Sequence, residues 1–165
     1  MPNFRPLDDP AFLQLCGYVD ALNRYLDAIR GNLVVSFDVN GFELVDAPFD
    51  AAQAVRQAEP DMADYGLDIS GRSQPEFHQD IDAAVQRTPP AWATGRIADH
   101  LHAKLYDGLR GQLKACIDLE DERSTFFGYS YPSPRVVRYL TFGFDYLSWE
   151  GERNRCILIS CGDMD

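Results

Sequence analysis

Long apolar runs are missing from this chain of 165 residues. The longest are short, such as residues 33–35 and 157–159, whereas a helix needs about 20 apolar residues to span a bilayer. The N-terminal stretch MPNFRPLDDP has neither the basic region nor the apolar region of a secretion signal. We therefore expect a cytoplasmic protein that has no membrane partner.

Paired cysteine motifs are also missing. The four cysteines form no CxxC pair and show no zinc-type spacing with histidine; they are Cys16, Cys116, Cys156 and Cys161. Because structural disulfides are rare in the reducing cytosol, we predict free and mostly buried thiols. Neither a metal ion nor another cofactor is expected.

Catalytic sequence motifs are absent as well. The chain has no GxSxG elbow, no GxxxxGK(S/T) phosphate loop, no GxGxxG and no HExxH. His100 and His102 differ by about 200° around a helix, so they cannot hold one ion there. His78 lies four residues before Asp82, which is typical of a surface pair on a helix. We assign no catalytic residue, although side chains distant in sequence could still assemble a site.

Basic residues are few. The chain has 15 Lys and Arg against 26 Asp and Glu, a net charge of −11. The imbalance is concentrated in residues 1–70, which hold 12 acidic and 4 basic residues. An acidic surface repels nucleic acid and anionic membranes, and it speeds encounter with basic partners. A nucleic-acid partner is therefore disfavoured and a basic protein partner is favoured, although acidity also serves solubility alone.

Four helices are predicted from apolar periodicity and capping residues. Their expected ranges are 10–30, 51–58, a segment that starts after residue 73 and ends before 88–90, and 96–117. The N-terminal signals are Asp9 before Pro10, Asp50, and a capping box of Ser73 and Glu76. The last helix carries an apolar stripe that includes Leu101, Leu105 and Leu109.

Alternating and aromatic-rich segments predict strands over 33–39, 42–44, 125–131, 135–149 and 155–161. Asn40-Gly41 is the strongest short hairpin signal, and it predicts a turn between the first two strands. The stretch EGERN predicts a second hairpin before the last strand. Together these elements predict one α+β domain over residues 1–165, with a mainly antiparallel sheet and helices packed on one face.

The longest predicted strand has two different faces. The even-numbered residues of this strand, 135–149, form an apolar face that includes Phe144 and Tyr146, which indicates core beneath the helices. Its odd face is mixed and includes Tyr139, Asp145 and Trp149. Tyrosine and tryptophan on an exposed sheet are typical of interfaces and ligand platforms. The same residues are also compatible with a second core layer covered by the N-terminal helix.

Two acidic clusters are candidate contact surfaces. Asp61, Asp64 and Asp68 recur at i, i+3 and i+7, which would place them on one side of a helix. Gly66 interrupts that helix, and the spacing does not fit a calcium loop, so a solvated acidic loop or a docking surface for a basic partner is favoured. The second cluster, formed by Glu120, Asp121 and Glu122, indicates a surface connector or a partner contact.

These observations favour a non-catalytic binding protein that engages and inhibits a basic protein partner, such as an immunity-type inhibitor of a bacterial toxin. The alternative is a small-molecule-binding domain or small enzyme, with a pocket between the helices and the aromatic-rich sheet. The oligomeric state is not indicated. The predicted partner-binding residues are Asp61, Asp64, Asp68, Glu120, Asp121, Glu122, Tyr139, Asp145 and Trp149.

Overall fold

The computed structural model describes residues 4–28, 34–46, 48–87, 96–117, 124–133, 139 and 142–164. The helices there are α1 (Pro10–Ala28), α2 (Ala51–Ala58), α3 (Gln74–Arg87) and α4 (Arg96–Cys116). The strands are β1 (Phe4–Pro6), β2 (Val34–Leu44), β3 (Asp68–Arg72), β4 (Ser124–Ser130), β5 (Gly143–Glu150) and β6 (Arg155–Met164). They form one antiparallel sheet in the order β1-β2-β6-β5-β4-β3, which confirms the predicted α+β class. Among these described helices, none is long and apolar enough to cross a membrane.

Three helices begin where their capping residues predict. The Asp9 carboxylate accepts two backbone N–H groups at the start of α1, at 2.9 and 3.1 Å. Asp50 does the same for α2, at 2.9 and 3.3 Å. Before α3, the backbone N–H of Ser73 donates to the Glu76 carboxylate at 2.7 Å, and the Ser73 hydroxyl accepts from the backbone of Glu76 at 3.4 Å. Each cap satisfies N–H groups that the helix itself leaves unbonded.

Helices cover both faces of the sheet. The three long helices α1, α3 and α4 pack on one face, called here the α1 face, and α2 packs on the opposite α2 face. Phe144 and Tyr146 lie in the core of the α1 face, as their even positions predict. Leu147 and Trp149 lie in the core of the α2 face. This second core layer is covered by α2 and not by the N-terminal helix.

The predicted hairpin at Asn40-Gly41 is wrong. β2 runs without a turn from Val34 to Leu44, and both Asn40 and Gly41 pair with β6. Gly41 is needed here for a close approach, because a Cβ at this position would lie 2.7 Å from Cζ of Phe12 on α1. Pairing along the whole strand and packing of the Phe12 ring therefore override the local turn preference.

A methyl group at position 41 should therefore destabilise the fold. We expect Gly41→Ala to lower the free energy of unfolding by about 1–3 kcal/mol, because the side chain overpacks against Phe12. Gly17→Ala is the matched control: this glycine lies in α1, and a Cβ there would meet nothing within 4 Å. Helix propensity predicts that the control gains up to about 1 kcal/mol. Urea denaturation of both variants measures the two changes, and equal losses would contradict this account.

Other differences from the predicted elements are local. The strands β1 and β3 were not expected, and Leu101 is exposed although its position in the apolar stripe predicts burial. The hairpin at EGERN is confirmed, with Asn154 in the left-handed region at φ 47°. Several predictions lie outside the described residues: the helix break at 88–90, residues 118–123, and most of the strand before Gly143.

A buried ion pair joins the β5–β6 hairpin to two helices. The Arg155 guanidinium donates to both oxygens of Glu150, at 2.9 and 3.1 Å. It also donates to the carbonyl of Cys116 at the end of α4, at 2.6 Å, and it lies 3.6 Å from the Asp9 cap of α1. The side chains of Arg155 and Glu150 are only 6% and 9% exposed. Arg155 is therefore the point at which three elements meet.

The four cysteines are free, as predicted. Cys16 is partly exposed and the other three are buried. Burial raises the pKa of the Cys116 and Cys156 thiols to about 12, and it raises the pKa of Cys161 well above its usual value. These thiols stay protonated at neutral pH and are shielded from reagents.

Thiol labelling of the native protein should therefore distinguish one reactive cysteine, Cys16, from the three buried ones. In native protein at about pH 8, we expect an aromatic disulfide reagent to modify Cys16 first, since thiolate fraction and access control the rate. In urea, all four thiols should react. Cys16→Ser should remove the native reaction, and fast labelling of this variant would contradict the described burial.

Candidate functional site

The residues Asp61, Asp64 and Asp68 are all exposed. Asp61 lies in a short 3-10 helix (Pro60–Met62), Asp64 lies in the turn that follows, and Asp68 is the first residue of β3. The i, i+3, i+7 spacing thus does not create one helical face. We call residues 61–68 the acidic segment.

These carboxylates have no counter-ion among the residues that the structure describes. Within the described part of the chain, none of the three forms an ion pair or a side-chain hydrogen bond. Some other exposed carboxylates are paired instead: Glu76, for example, accepts from Arg72 at 3.2 Å. The acidic segment therefore presents three solvated negative charges that are available to a cation from outside.

Apolar contacts hold the acidic segment in place. Met62, Tyr65 and Leu67 are half-buried and pack against the core of the α2 face. The Arg56 guanidinium of α2 also donates to the carbonyl of Ala63 at 2.6 Å. Half-buried apolar residues therefore alternate with the exposed aspartates, so the backbone is fixed while the carboxylates project into solvent.

The acidic segment leads directly into an edge of the sheet. β3 pairs with β4 from Asp68, opposite Ser130, to Arg72, opposite Phe126. In the described residues, no strand pairs with its other side. Most of β3 is exposed, and it is an edge strand of the sheet that the described residues form.

A cleft opens beside β3 because β4 and β5 diverge. Their pairing ends at Gly128, opposite Tyr146, although β4 continues to Ser130 and β5 begins at Gly143. The gap forms a cleft of about 360 Å³, called here the fork cleft. Its carboxylates are Asp68, Asp80 and Asp145; Arg72 and three tyrosines, Tyr129, Tyr139 and Tyr146, also line it.

The tyrosines of the fork cleft donate to carboxylates. The Tyr146 hydroxyl donates to Asp80 at 2.7 Å, and the Tyr139 hydroxyl donates to Asp145 at 2.6 Å. Burial, together with the hydrogen bond to Asp80, raises the pKa of Tyr146 above its usual value. Burial likewise raises the pKa of Tyr129, whose hydroxyl donates to Glu59 at 2.9 Å. These phenols stay protonated at neutral pH, and carboxylates beside aromatic rings suit the binding of a cation.

The structure does not show an open platform at Tyr139, Asp145 and Trp149, the three candidates from the mixed face of the longest predicted strand. Asp145 is 7% exposed. The Tyr139 ring lies against Gly143 and Gly162, where an added Cβ at either glycine would collide with it. The Trp149 ring stacks on Phe49, with centroids 4.0 Å apart and planes at 8°. The structure therefore brings Tyr139 and Asp145 together in the fork cleft and places Trp149 elsewhere; a partner-binding role for these residues stays a prediction.

Several candidates are not brought into this site. Glu120, Asp121 and Glu122 lie outside the described residues, as do the side chains of His100 and His102. Across the residues that the structure does describe, no group of three or more metal-ligating side chains was found. Conversely, Arg72 and Asp80 line the cleft, and the sequence did not indicate them because nothing local marks the divergence of β4 and β5.

The described residues define a single α+β domain with a six-stranded antiparallel sheet and four helices. Two crystal structures of citrus MAF1 share this fold, with TM-scores of 0.56 and 0.58. Each match covers 89% of this chain and 98% of the citrus protein, at 12% and 10% sequence identity. At such identities the likeness concerns the fold alone. No family model and no curated protein matches the chain.

Proposed function

We propose that this chain is a cytoplasmic binding protein that engages a basic protein partner through the acidic segment and the fork cleft. The observation that carries the proposal is the state of Asp61, Asp64 and Asp68. All three are exposed, and none has an ion-pair partner among the described residues. Lysine and arginine side chains of a partner supply the missing cations.

Charge acts first at long range. The net charge of −11, concentrated in residues 1–70, attracts a basic protein and raises the rate of encounter. At contact, the aspartates of the acidic segment accept charge-assisted hydrogen bonds, which are shorter and stronger than neutral ones. Because Met62, Tyr65 and Leu67 already hold this segment against the core, little conformational entropy is lost on binding.

The fork cleft adds a site for one basic side chain. Asp68 belongs both to the acidic segment and to the cleft lining, so the two surfaces are continuous. A partner cation that enters meets Asp68 and Asp80, whose carboxylates accept charge-assisted hydrogen bonds from it. Arg72 is a neighbour of this position, but its guanidinium is already hydrogen-bonded to Glu76 at 3.2 Å.

The effect on the partner that we propose is inhibition by occlusion of its basic site, as in an immunity-type inhibitor of a bacterial toxin. Such a site, for example one that binds a phosphate backbone, is rich in lysine and arginine. The support for this proposal is the negative net charge of the chain and the exposure of the acidic segment. The likeness to citrus MAF1 concerns the fold alone and does not bear on it.

Affinity capture tests the proposal. The immobilised chain, incubated with lysate of its native source, should retain a basic protein at low ionic strength and release part of it as salt is raised. The captured protein should be retained less by Asp61→Lys/Asp64→Lys/Asp68→Lys. Capture of no protein at low and at physiological salt would count against the proposal.

A second candidate function is small-molecule binding in the fork cleft. The favouring observation is its volume of about 360 Å³ beside α3 and the aromatic strands, within the usual range of ligand sites of roughly 300–1,000 Å³. Its lining, however, is rich in charged and hydroxyl groups, whereas most such sites are largely apolar. A thermal-shift screen separates the candidates, because a metabolite that binds the native state raises Tm by mass action.

A further inference from the structure

We infer that β3 is a docking strand, to which an extended basic segment of the partner adds as a seventh strand of the sheet. This inference rests on the proposed function and specifies the form that the partner takes at the acidic segment. Strand addition uses main-chain hydrogen bonds for affinity and alternate side chains for specificity.

The two edges of the described sheet differ in a way that favours β3. At the other edge, β1 has three residues, of which Pro6 has no N–H to donate, and its Arg5 is held by Glu43. β3 has five residues, contains no proline and is mostly exposed. An edge strand of this kind presents a row of unpaired donors and acceptors to another chain.

Charge and sheet direction set the orientation of the added segment. Every described strand pair in this sheet is antiparallel, and antiparallel pairing is the more stable kind. An antiparallel segment ends beside Asp68, where the acidic segment joins β3. Its basic residues therefore lie at its C-terminal end.

The two faces of β3 set the side-chain pattern. Ile69 is half-buried, pairs with Tyr129 and belongs to the α2 face. Asp68 and Ser70 alternate with it and therefore belong to the α1 face. Read from its N-terminus, the added segment thus has a polar residue opposite Ser70, an apolar residue opposite Ile69 and a lysine or arginine opposite Asp68.

Backbone N-methylation of a peptide probe tests strand addition without altering the protein. The probe is a labelled Thr-Val-Thr-Val-Lys-Arg-Lys peptide, and its binding to the full chain is measured by fluorescence anisotropy. Only alternate N–H groups of an added strand point toward β3. Methylating that alternate set should weaken binding by at least about tenfold, whereas methylating the other set should change it little.

A charge exchange tests the register. Asp68 is exposed and without an ion-pair partner among the described residues, so Asp68→Lys should leave the fold intact. It should lower the affinity for the probe by about tenfold. A probe with glutamate in place of its first lysine should bind the variant better than it binds the native chain.

The outcomes separate this inference from the proposed function. Equal effects of both methylation sets would overturn strand addition while leaving an electrostatic surface in place. Equally weak binding of the basic probe and a neutral analogue would overturn both. A dimer of the chain that excludes the probe would show that a second copy occupies the β3 edge, and it would also overturn the inference.

Discussion

Arg155→Ala should lower the free energy of unfolding by about 3–5 kcal/mol, the cost expected when one partner of a buried ion pair is removed. The substitution leaves the Glu150 carboxylate buried at 9% exposure without its arginine. It also removes the donor to the Cys116 carbonyl, which ties the end of α4 to the sheet. Chemical denaturation followed by far-UV circular dichroism measures the loss.

Arg153→Ala is the matched control for Arg155. Arg153 lies in the same hairpin, 3.5 Å from the same Glu150, but its side chain is 61% exposed. Exposed ion pairs contribute little, so we expect a change below about 1 kcal/mol. An Arg155→Met/Glu150→Leu variant should recover much of the lost stability, because the buried carboxylate that Arg155→Ala leaves unpaired is also removed. Similar losses for Arg155→Ala and Arg153→Ala would contradict the central role of Arg155.

The elements that the sequence predicts well are those with local chemical causes. Asp9, Asp50 and Ser73 cap helices through contacts within three residues, so their signals survive folding unchanged. The error at Asn40-Gly41 has a non-local cause, because β6 and Phe12 both lie far away in sequence. β3 escaped prediction because an edge strand of sequence DISGR has little β-propensity and depends on β4 for its pairing.

The candidate site shows the same division. Exposure of Asp61, Asp64 and Asp68 follows from their own polarity, so a solvated acidic segment was predictable. The fork cleft was not, because it depends on where β4 leaves β5, and no property of Gly128 or Tyr146 alone marks that point. The burial of Asp145 was not predictable either, because its position on the strand does not show that the Tyr139 hydroxyl donates to it.

Reversing the charges of the acidic segment should have the largest effect on binding. Asp61→Lys/Asp64→Lys/Asp68→Lys changes the net charge by +6 and places three cations opposite the basic surface of the partner. Since like charges at an interface cost several kcal/mol, we expect affinity to fall by at least about a hundredfold. Stability should change little, because no described ion pair involves these residues.

A second triple variant separates location from net charge. Asp8, Asp20 and Asp46 are also exposed and have no described ion pair. Asp8→Lys/Asp20→Lys/Asp46→Lys carries the same change of +6 at other places on the surface. It should weaken long-range attraction, and hence the association rate, but leave the contacts of the acidic segment intact.

The most direct test is the affinity of the captured partner for the native chain and for the two triple variants. The three affinities are measured side by side at physiological salt. If the acidic segment is the contact surface, affinity falls by at least about a hundredfold for the variant of the acidic segment and by less than about tenfold for the variant elsewhere. Equal losses for the two variants would show that only the total charge matters, and no loss for either would show that the partner binds another surface.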